Sequence, residues 1–94
     1  MKNKKIVFTE HALERLNFRK IDTKLVLGVI EKPEQVLPDE DSNIREIYQS
    51  VISNDKNKLK LLRVVIEETN VELLVISVYL TSKINKYWRQ DNEI

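Results

Sequence analysis

Residues 59–81 read L-K-L-L-R-V-V-I-E-E-T-N-V-E-L-L-V-I-S-V-Y-L-T, and this stretch decides the fold. It holds two runs rich in valine, isoleucine and leucine, residues 59–67 and 71–81, separated by the polar turn E-T-N. Such runs favour strands, and a short turn between two strands favours a hairpin. The stretch therefore predicts two adjacent antiparallel strands.

A third strand and two helices are predicted on the N-terminal side. Residues 44–53 have the same strand composition, and the short gap N-D-K-N-K joins them to the hairpin. Residues 10–19 predict an amphipathic helix capped by Thr9, and Asp22 predicts the cap of a second helix that Pro33 ends. The segment between Pro33 and residue 44 is expected to be a loop, because it is rich in proline and turn-forming residues.

The two helices must bury their apolar stripes against one face of the sheet. The expected fold class is α+β, with two N-terminal helices packed on one face of a three- to four-stranded antiparallel sheet. A short first strand at residues 6–8 would be the fourth. A short helix or strand is expected within residues 82–89, and one domain is expected over residues 1–94.

Alternation along the strands predicts which side chains face the helices. The predicted core positions are aliphatic and are Ile47, Val51, Leu62, Val64, Ile66, Leu74, Ile76, Val78 and Leu80. The opposite face then collects a half-polar set, Tyr48, Arg63, Ser77, Tyr79 and Thr81. This set is typical of a binding surface, and equally of a solvated sheet or of a homodimer that packs sheet to sheet.

His11 is the single histidine of the chain. At about 100° per residue it lies roughly 140° from the centre of the helix's apolar arc near Leu16, so it is not a core residue. Arg15 and Arg19 follow it toward the edge of that arc. Imidazole suits a general acid or base near neutral pH, although an exposed histidine on a solvated face is the alternative. We expect His11 to line a cationic trough between the first helix and the half-polar sheet face.

The composition excludes several other kinds of site. The chain has no cysteine and one histidine, which argues against zinc, and its one glycine, Gly28, excludes a glycine-rich phosphate loop. Metal-independent RNA cleavage is compatible with the residues present, because the substrate's own 2′-OH attacks and the protein supplies proton transfer and charge stabilisation. The candidate catalytic residues are His11, Arg15, Arg63 and Thr81. The candidate RNA-binding residues are Arg19, Tyr79, Lys83, Lys86 and Tyr87. No metal ion or other cofactor is expected.

Five motifs resemble a bacterial family, domain of unknown function 4258. They are F-T-E-H-A-L-E-R-L (8–16), R-K-I-D (19–22), K-P-E-Q-V (32–36), L-R-V-V (62–65) and V-Y-L-T-S-K (78–83). That family resembles the superfamily of RNase toxins that includes barnase, colicin D and RelE. The resemblance implies two helices on an antiparallel sheet and a site with His11 and with Thr81 or Ser82.

The expected function is that of a metal-independent ribonuclease, the toxin of a toxin–antitoxin pair, with His11 as general acid or base. Its expected partners are RNA and a cognate antitoxin protein. The alternative is a non-catalytic protein-binding module or homodimer of the same fold, which the formal net charge of +1 favours. The chain lacks an apolar run of signal-peptide or membrane-span length, so a cytoplasmic protein without a membrane partner is expected.

Overall fold

The computed structural model describes residues 4–54 and 56–90. The elements follow one another as β1 (Lys5–Phe8), α1 (Glu10–Arg19), α2 (Thr23–Glu31), β2 (Gln35–Pro38), β3 (Arg45–Ser53), β4 (Leu59–Glu68), β5 (Glu72–Thr81) and α3 (Ile84–Tyr87). The domain predicted over residues 1–94 includes residues 1–3, 55 and 91–94, which lie outside the described residues.

Both predicted helices form, and their predicted caps are confirmed. The Thr9 hydroxyl accepts a hydrogen bond from the Ala12 backbone N–H, and the Asp22 carboxylate accepts one from the Lys24 backbone N–H. These bonds satisfy N–H groups that the first turn of a helix leaves without a partner. Along the described segments, no helix has the length and apolar composition of a membrane span.

The sheet has five strands in the order β1-β5-β4-β3-β2 and is mixed. The predicted number of three to four strands is therefore wrong. The prediction that all strands are antiparallel is also wrong, because β1 pairs with β5 in parallel. Strand β2 forms within the predicted loop and pairs with β3 at the edge of the sheet. Proline is tolerated in an edge strand, and Pro38 lies there, which explains why the proline signal was misleading.

The two helices pack on one face of the sheet, as predicted. Helix α1 lies against β5 and β1, and α2 lies against β3 and β4. The buried core between the layers consists of Ala12, Leu16, Ile21, Val26, Val29, Ile30, Leu62, Val64, Ile66, Val75 and Val78. The face of the sheet that points away from these helices is called the open face below.

The predicted alternation holds for β4 and fails in its two neighbours. In β3 the assignment is inverted, since Tyr48 and Ile52 pack against the core while Ile47 lines the open face. In β5 the register shifts, because Val65 pairs with Ser77 whereas the next residue, Ile66, pairs with Val75. Ile76 is the extra residue of this β-bulge, and an extra residue reverses the alternation on one side of it.

The bulge explains why the predicted faces of β5 are correct only after residue 76. Val75 is fully buried against the helices rather than on the open face, and Leu74 pairs with Glu67 on the open side. Beyond the bulge, Tyr79 and Thr81 lie on the open face as predicted, opposite Arg63 and Leu61.

Candidate functional site

The open face carries a cleft between the sheet and the C-terminal segment. It has a volume of about 820 Å³, and we call it the Arg63 cleft. Its lining residues are Leu37, Pro38, Asp39, Glu40, Asp41, Ile47, Arg63, Val65, Tyr79, Lys86, Tyr87, Trp88 and Arg89. Strands β2 to β5 therefore supply the floor and one wall, and α3 with the residues after it supplies the other wall.

Arg63 lies at the floor of this cleft and is only 6% exposed. Its Nε donates to Gln49 Oε1 at 2.8 Å, and its Nη1 donates to the Tyr79 hydroxyl at 2.5 Å. A guanidinium has five N–H donors, so three remain without an acceptor in residues 4–54 and 56–90. No carboxylate of these residues lies within 4.0 Å of it. No buried side-chain nitrogen of the described residues lacks a hydrogen-bond partner, so Nη2, which has none, keeps contact with the solvent of the cleft. A guanidinium with such donors and no counter-charge is suited to an anionic ligand.

Gln49 holds Arg63 in place, and the half-buried Gln35 holds Gln49. Gln49 is fully buried, and its Nε2 donates to Gln35 Oε1 at 2.8 Å and to the Tyr87 carbonyl at 3.2 Å. Gln35 in turn accepts from the Arg89 backbone N–H at 3.0 Å and donates to the Arg89 carbonyl at 2.8 Å. This network connects the segment after α3 to β2 and β3, so the C-terminal wall has a fixed position relative to Arg63.

Aromatic rings surround the guanidinium. Its central carbon lies 4.3 Å from the ring centroid of Tyr87 and 5.6 Å from that of Tyr79. The two rings meet edge to face with centroids 6.4 Å apart. Lys86 adds a second cation, with Nζ 5.2 Å from the Tyr87 ring. Cations and aromatic rings in one groove are the groups that bind the phosphates and bases of single-stranded nucleic acid.

A further part of the cleft lining, called the acidic wall below, carries carboxylates. Asp39, Glu40 and Asp41 follow β2 in the turn toward β3 and line the same cleft. Asp39 stabilises the turn, since its Oδ1 accepts from the Asp41 backbone N–H at 2.9 Å. No side-chain hydrogen bond or ion pair joins the carboxylates of Glu40 and Asp41 to any other described residue. The cleft therefore has one cationic, aromatic wall and one acidic wall.

The structure separates the helical candidates from this cleft. His11, Arg15 and Arg19 lie on α1, which packs on the other face of the sheet. The Arg15 Nε donates to His11 Nε2 at 3.4 Å, and Arg19 Nη1 donates to the Val78 carbonyl at 3.1 Å. The predicted trough between α1 and the half-polar face is therefore wrong, because the sheet and its core residues separate the side chains of α1 from the Arg63 cleft. The catalytic role of His11 stays a prediction.

The remaining predicted residues divide between the cleft and its neighbourhood. Tyr79, Lys86 and Tyr87 line the Arg63 cleft. Thr81 lies further along β5 on the open face, where its hydroxyl accepts from the Lys83 backbone N–H at 3.0 Å and forms the turn before α3. Lys83 is the exposed residue that precedes α3. Neither Thr81 nor Lys83 is part of the cleft lining.

Several cleft or network residues were not named from the sequence, among them Gln35, Gln49, Glu40, Asp41, Trp88 and Arg89. The contact of Gln49 with Arg63 could be inferred only from the register of β3 and β4, which pairs the two residues. Gln35 lies in the unexpected strand β2. Trp88 and Arg89 directly follow Lys86 and Tyr87, which were named as candidate RNA-binding residues. Across residues 4–54 and 56–90, no group of three or more His, Cys, Asp or Glu side chains could hold a metal ion.

Comparison with known proteins adds one finding to this geometry. The comparisons with curated proteins and with solved structures found no match. Residues 8–80 match a family described as Domain of unknown function (DUF4258), and this range runs from the end of β1 through most of β5. It includes Arg63, Gln49 and Tyr79, whereas Lys86, Tyr87 and Trp88 follow it. On this match over most of its length, the chain is a member of the family Domain of unknown function (DUF4258).

Proposed function

We propose that the protein binds single-stranded RNA in the Arg63 cleft and cleaves it without a metal ion. The observation that carries the proposal is the state of Arg63, which is buried, held by two polar partners and left with unused N–H donors facing an open cleft. The likeness to the RNase toxin superfamily, including the RelE-like fold and an antitoxin partner, is part of this proposal.

Arg63 is suited to a phosphodiester. A guanidinium places parallel N–H donors against phosphate oxygens, and Nη2 together with the second N–H of Nη1 remains available for this. Lys86 and Arg89 on the C-terminal wall would hold neighbouring phosphates. Tyr79, Tyr87 and Trp88 offer aromatic faces for stacking of an unpaired base. These groups line one cleft, which supports a nucleotide as the ligand.

The same groups support cleavage by attack of the 2′-OH on the adjacent phosphorus. The 2′-oxygen forms a bond to phosphorus, the bond to the 5′-oxygen breaks, and the products are a 2′,3′-cyclic phosphate and a 5′-hydroxyl. Arg63 would stabilise the negative charge of the phosphorane. The Tyr79 hydroxyl accepts from Arg63, so its own proton is free to be donated to the leaving 5′-oxygen. The proton of the attacking 2′-OH passes to water in the open cleft, and solvent returns a proton to Tyr79 after the step.

RNA affinity is expected to fall steeply with salt. Three phosphate contacts by Arg63, Lys86 and Arg89 predict a slope of about −2 for log K against log salt, or roughly a 20-fold loss between about 50 and 200 mM. Fluorescence anisotropy of a labelled single-stranded oligoribonucleotide measures this in EDTA-containing buffer. Binding that does not respond to salt would contradict a phosphate-based interface.

Replacing His11 by alanine decides which face of the sheet carries the reaction. Because His11 lies in the helix layer, the Arg63 cleft proposal expects His11→Ala to cleave RNA almost as well as the unaltered protein. Loss of a general acid or base lowers the rate by about 10²–10⁴-fold. A loss of that size, measured on the same RNA with intact circular dichroism, would move the reaction to α1 and support the role predicted from sequence.

A non-catalytic protein-binding module is the second candidate. The helix layer favours it, since Phe18 is 79% exposed and Leu13 is 53% exposed on α1. Exposed apolar side chains of this size are typical of protein contacts. A partner bound there would resist salt and would respond to Phe18→Ser and not to Arg63→Gln. These responses separate the module from the RNA-binding proposal.

A further inference from the structure

The Arg63 cleft combines a cationic floor with carboxylates, which when ionised can only accept hydrogen bonds. Arg63 is more than nine-tenths buried, lines the cleft and has three N–H donors without a described partner, which points to an anionic ligand. Glu40 and Asp41 line the same cleft and are exposed, and their carboxylates have no side-chain partner in the described part of the chain. A ligand for the whole cleft therefore carries both a negative group and hydrogen-bond donors.

A nucleotide meets this requirement, and the four bases meet it to different degrees. Guanine presents N1–H and the N2 amino group side by side, so one carboxylate can accept from both. Adenine and cytosine each offer one amino group next to an acceptor nitrogen. Uracil offers N3–H between two carbonyl oxygens, which repel a carboxylate. An ionised carboxylate accepts hydrogen bonds only, so guanine is the best-matched base.

We propose that the Arg63 cleft selects guanine, with the phosphate on Arg63, the base stacked on the aromatic wall and its N1–H and N2 amino group donating to Glu40 or Asp41. This inference rests on the proposed function and adds the base preference to it. Asp39 is assigned to the turn, because its carboxylate accepts from the Asp41 backbone N–H.

The test is a titration of the full chain with the four nucleoside 5′-monophosphates in EDTA. Trp88 is the single tryptophan of the chain and lines the cleft, so its fluorescence reports binding. Titration calorimetry gives an independent dissociation constant. A good bidentate pair discriminates between bases by about 5- to 150-fold. We expect guanosine monophosphate to bind more tightly than uridine monophosphate by a factor in this range.

Two double variants separate recognition of guanine by Glu40 and Asp41 from a general effect of removing negative charge. Glu40→Gln with Asp41→Asn removes two negative charges from the cleft, and it is expected to bring the guanosine and uridine affinities together. Glu14→Gln with Glu31→Gln removes two exposed charges from the helix layer and is expected to keep the preference. Arg63→Gln is expected to weaken all four nucleotides alike.

The outcomes distinguish this inference from the proposal beneath it. Equal binding of all four nucleotides that is lost in Arg63→Gln would overturn guanine selection and leave RNA binding intact. A guanine preference that persists in the Glu40 and Asp41 double variant would overturn the assignment to the acidic wall. Failure of every nucleotide, and of single-stranded RNA, to bind would overturn both proposals.

Discussion

Replacing Arg63 by glutamine is expected to lower RNA cleavage by about 10²–10³-fold, the usual cost of removing one donor that stabilises transition-state charge. Glutamine keeps a polar side chain next to Gln49 and Tyr79 but cannot neutralise a phosphorane. The measurement is the initial rate of cleavage of a labelled single-stranded RNA in EDTA. Arg63→Lys keeps the charge without the planar pair of donors, so an intermediate rate is expected.

The matched control for Arg63→Gln is Arg45→Gln. Arg45 also lies in the sheet, but it forms an ion pair with Glu67 at 3.2 Å and is absent from the cleft lining. Loss of a partly exposed ion pair costs at most about 1 kcal/mol, so the control is expected to fold and to cleave normally. Equal rates for Arg63→Gln and the unaltered protein would remove the cleft from the reaction.

Replacing Leu62 by alanine is expected to destabilise the fold by about 2–5 kcal/mol. Leu62 is fully buried in β4 and belongs to the core under the two helices. The loss combines the transfer free energy of the removed carbons with the cavity that remains. Against a typical free energy of unfolding of about 5–15 kcal/mol, this change is large, and urea denaturation followed by circular dichroism measures it.

Leu59 provides the matched comparison within the same strand. It is 61% exposed at the beginning of β4, so the identical change to alanine removes little buried surface. A change within about 0.5 kcal/mol is expected for such an exposed position. If both variants unfolded at the same urea concentration, the assignment of Leu62 to the core would be wrong.

Local signals predicted the helices and the strand-rich half well. The caps at Thr9 and Asp22 depend on side chains within three residues of the bonds they make, so a single sequence contains the required information. The half-polar face around Arg63 and Tyr79 was also predicted, because the two residues pair directly across β4 and β5 beyond the bulge.

Non-local events account for what could not be predicted. Strand β2 forms because β3 provides hydrogen-bonding partners at the sheet edge, whereas its own four residues end in Pro38 and favour a loop. The bulge at Ile76 arises from pairing with β4, and no pattern in residues 71–81 marks it. Strand β3 carries apolar residues on both faces, so its period of two fits either assignment.

Non-local packing also explains why the residues predicted as one site lie on two surfaces. His11 and Arg63 each stood out by residue type, but only the packing of α1 on the helix-facing side of the sheet showed that the two groups belong to different surfaces. The network of Gln49 and Gln35 depends on the register of β2, β3 and β4 together. Fixed orientation of Arg63 is thus a property of the assembled sheet.

The parallel pairing of β1 with β5 has a consequence for synthesis of the protein. Strand β1 is synthesised early, yet its only hydrogen-bonding neighbour in the described sheet is β5, which begins at Glu72. Tyr79 and Tyr87 are also synthesised after Arg63. A domain generally folds as a unit during synthesis, and β1 has no partner strand in the described sheet until β5 has been made. The ribosome that makes this protein therefore never carries a finished Arg63 cleft on a half-made chain.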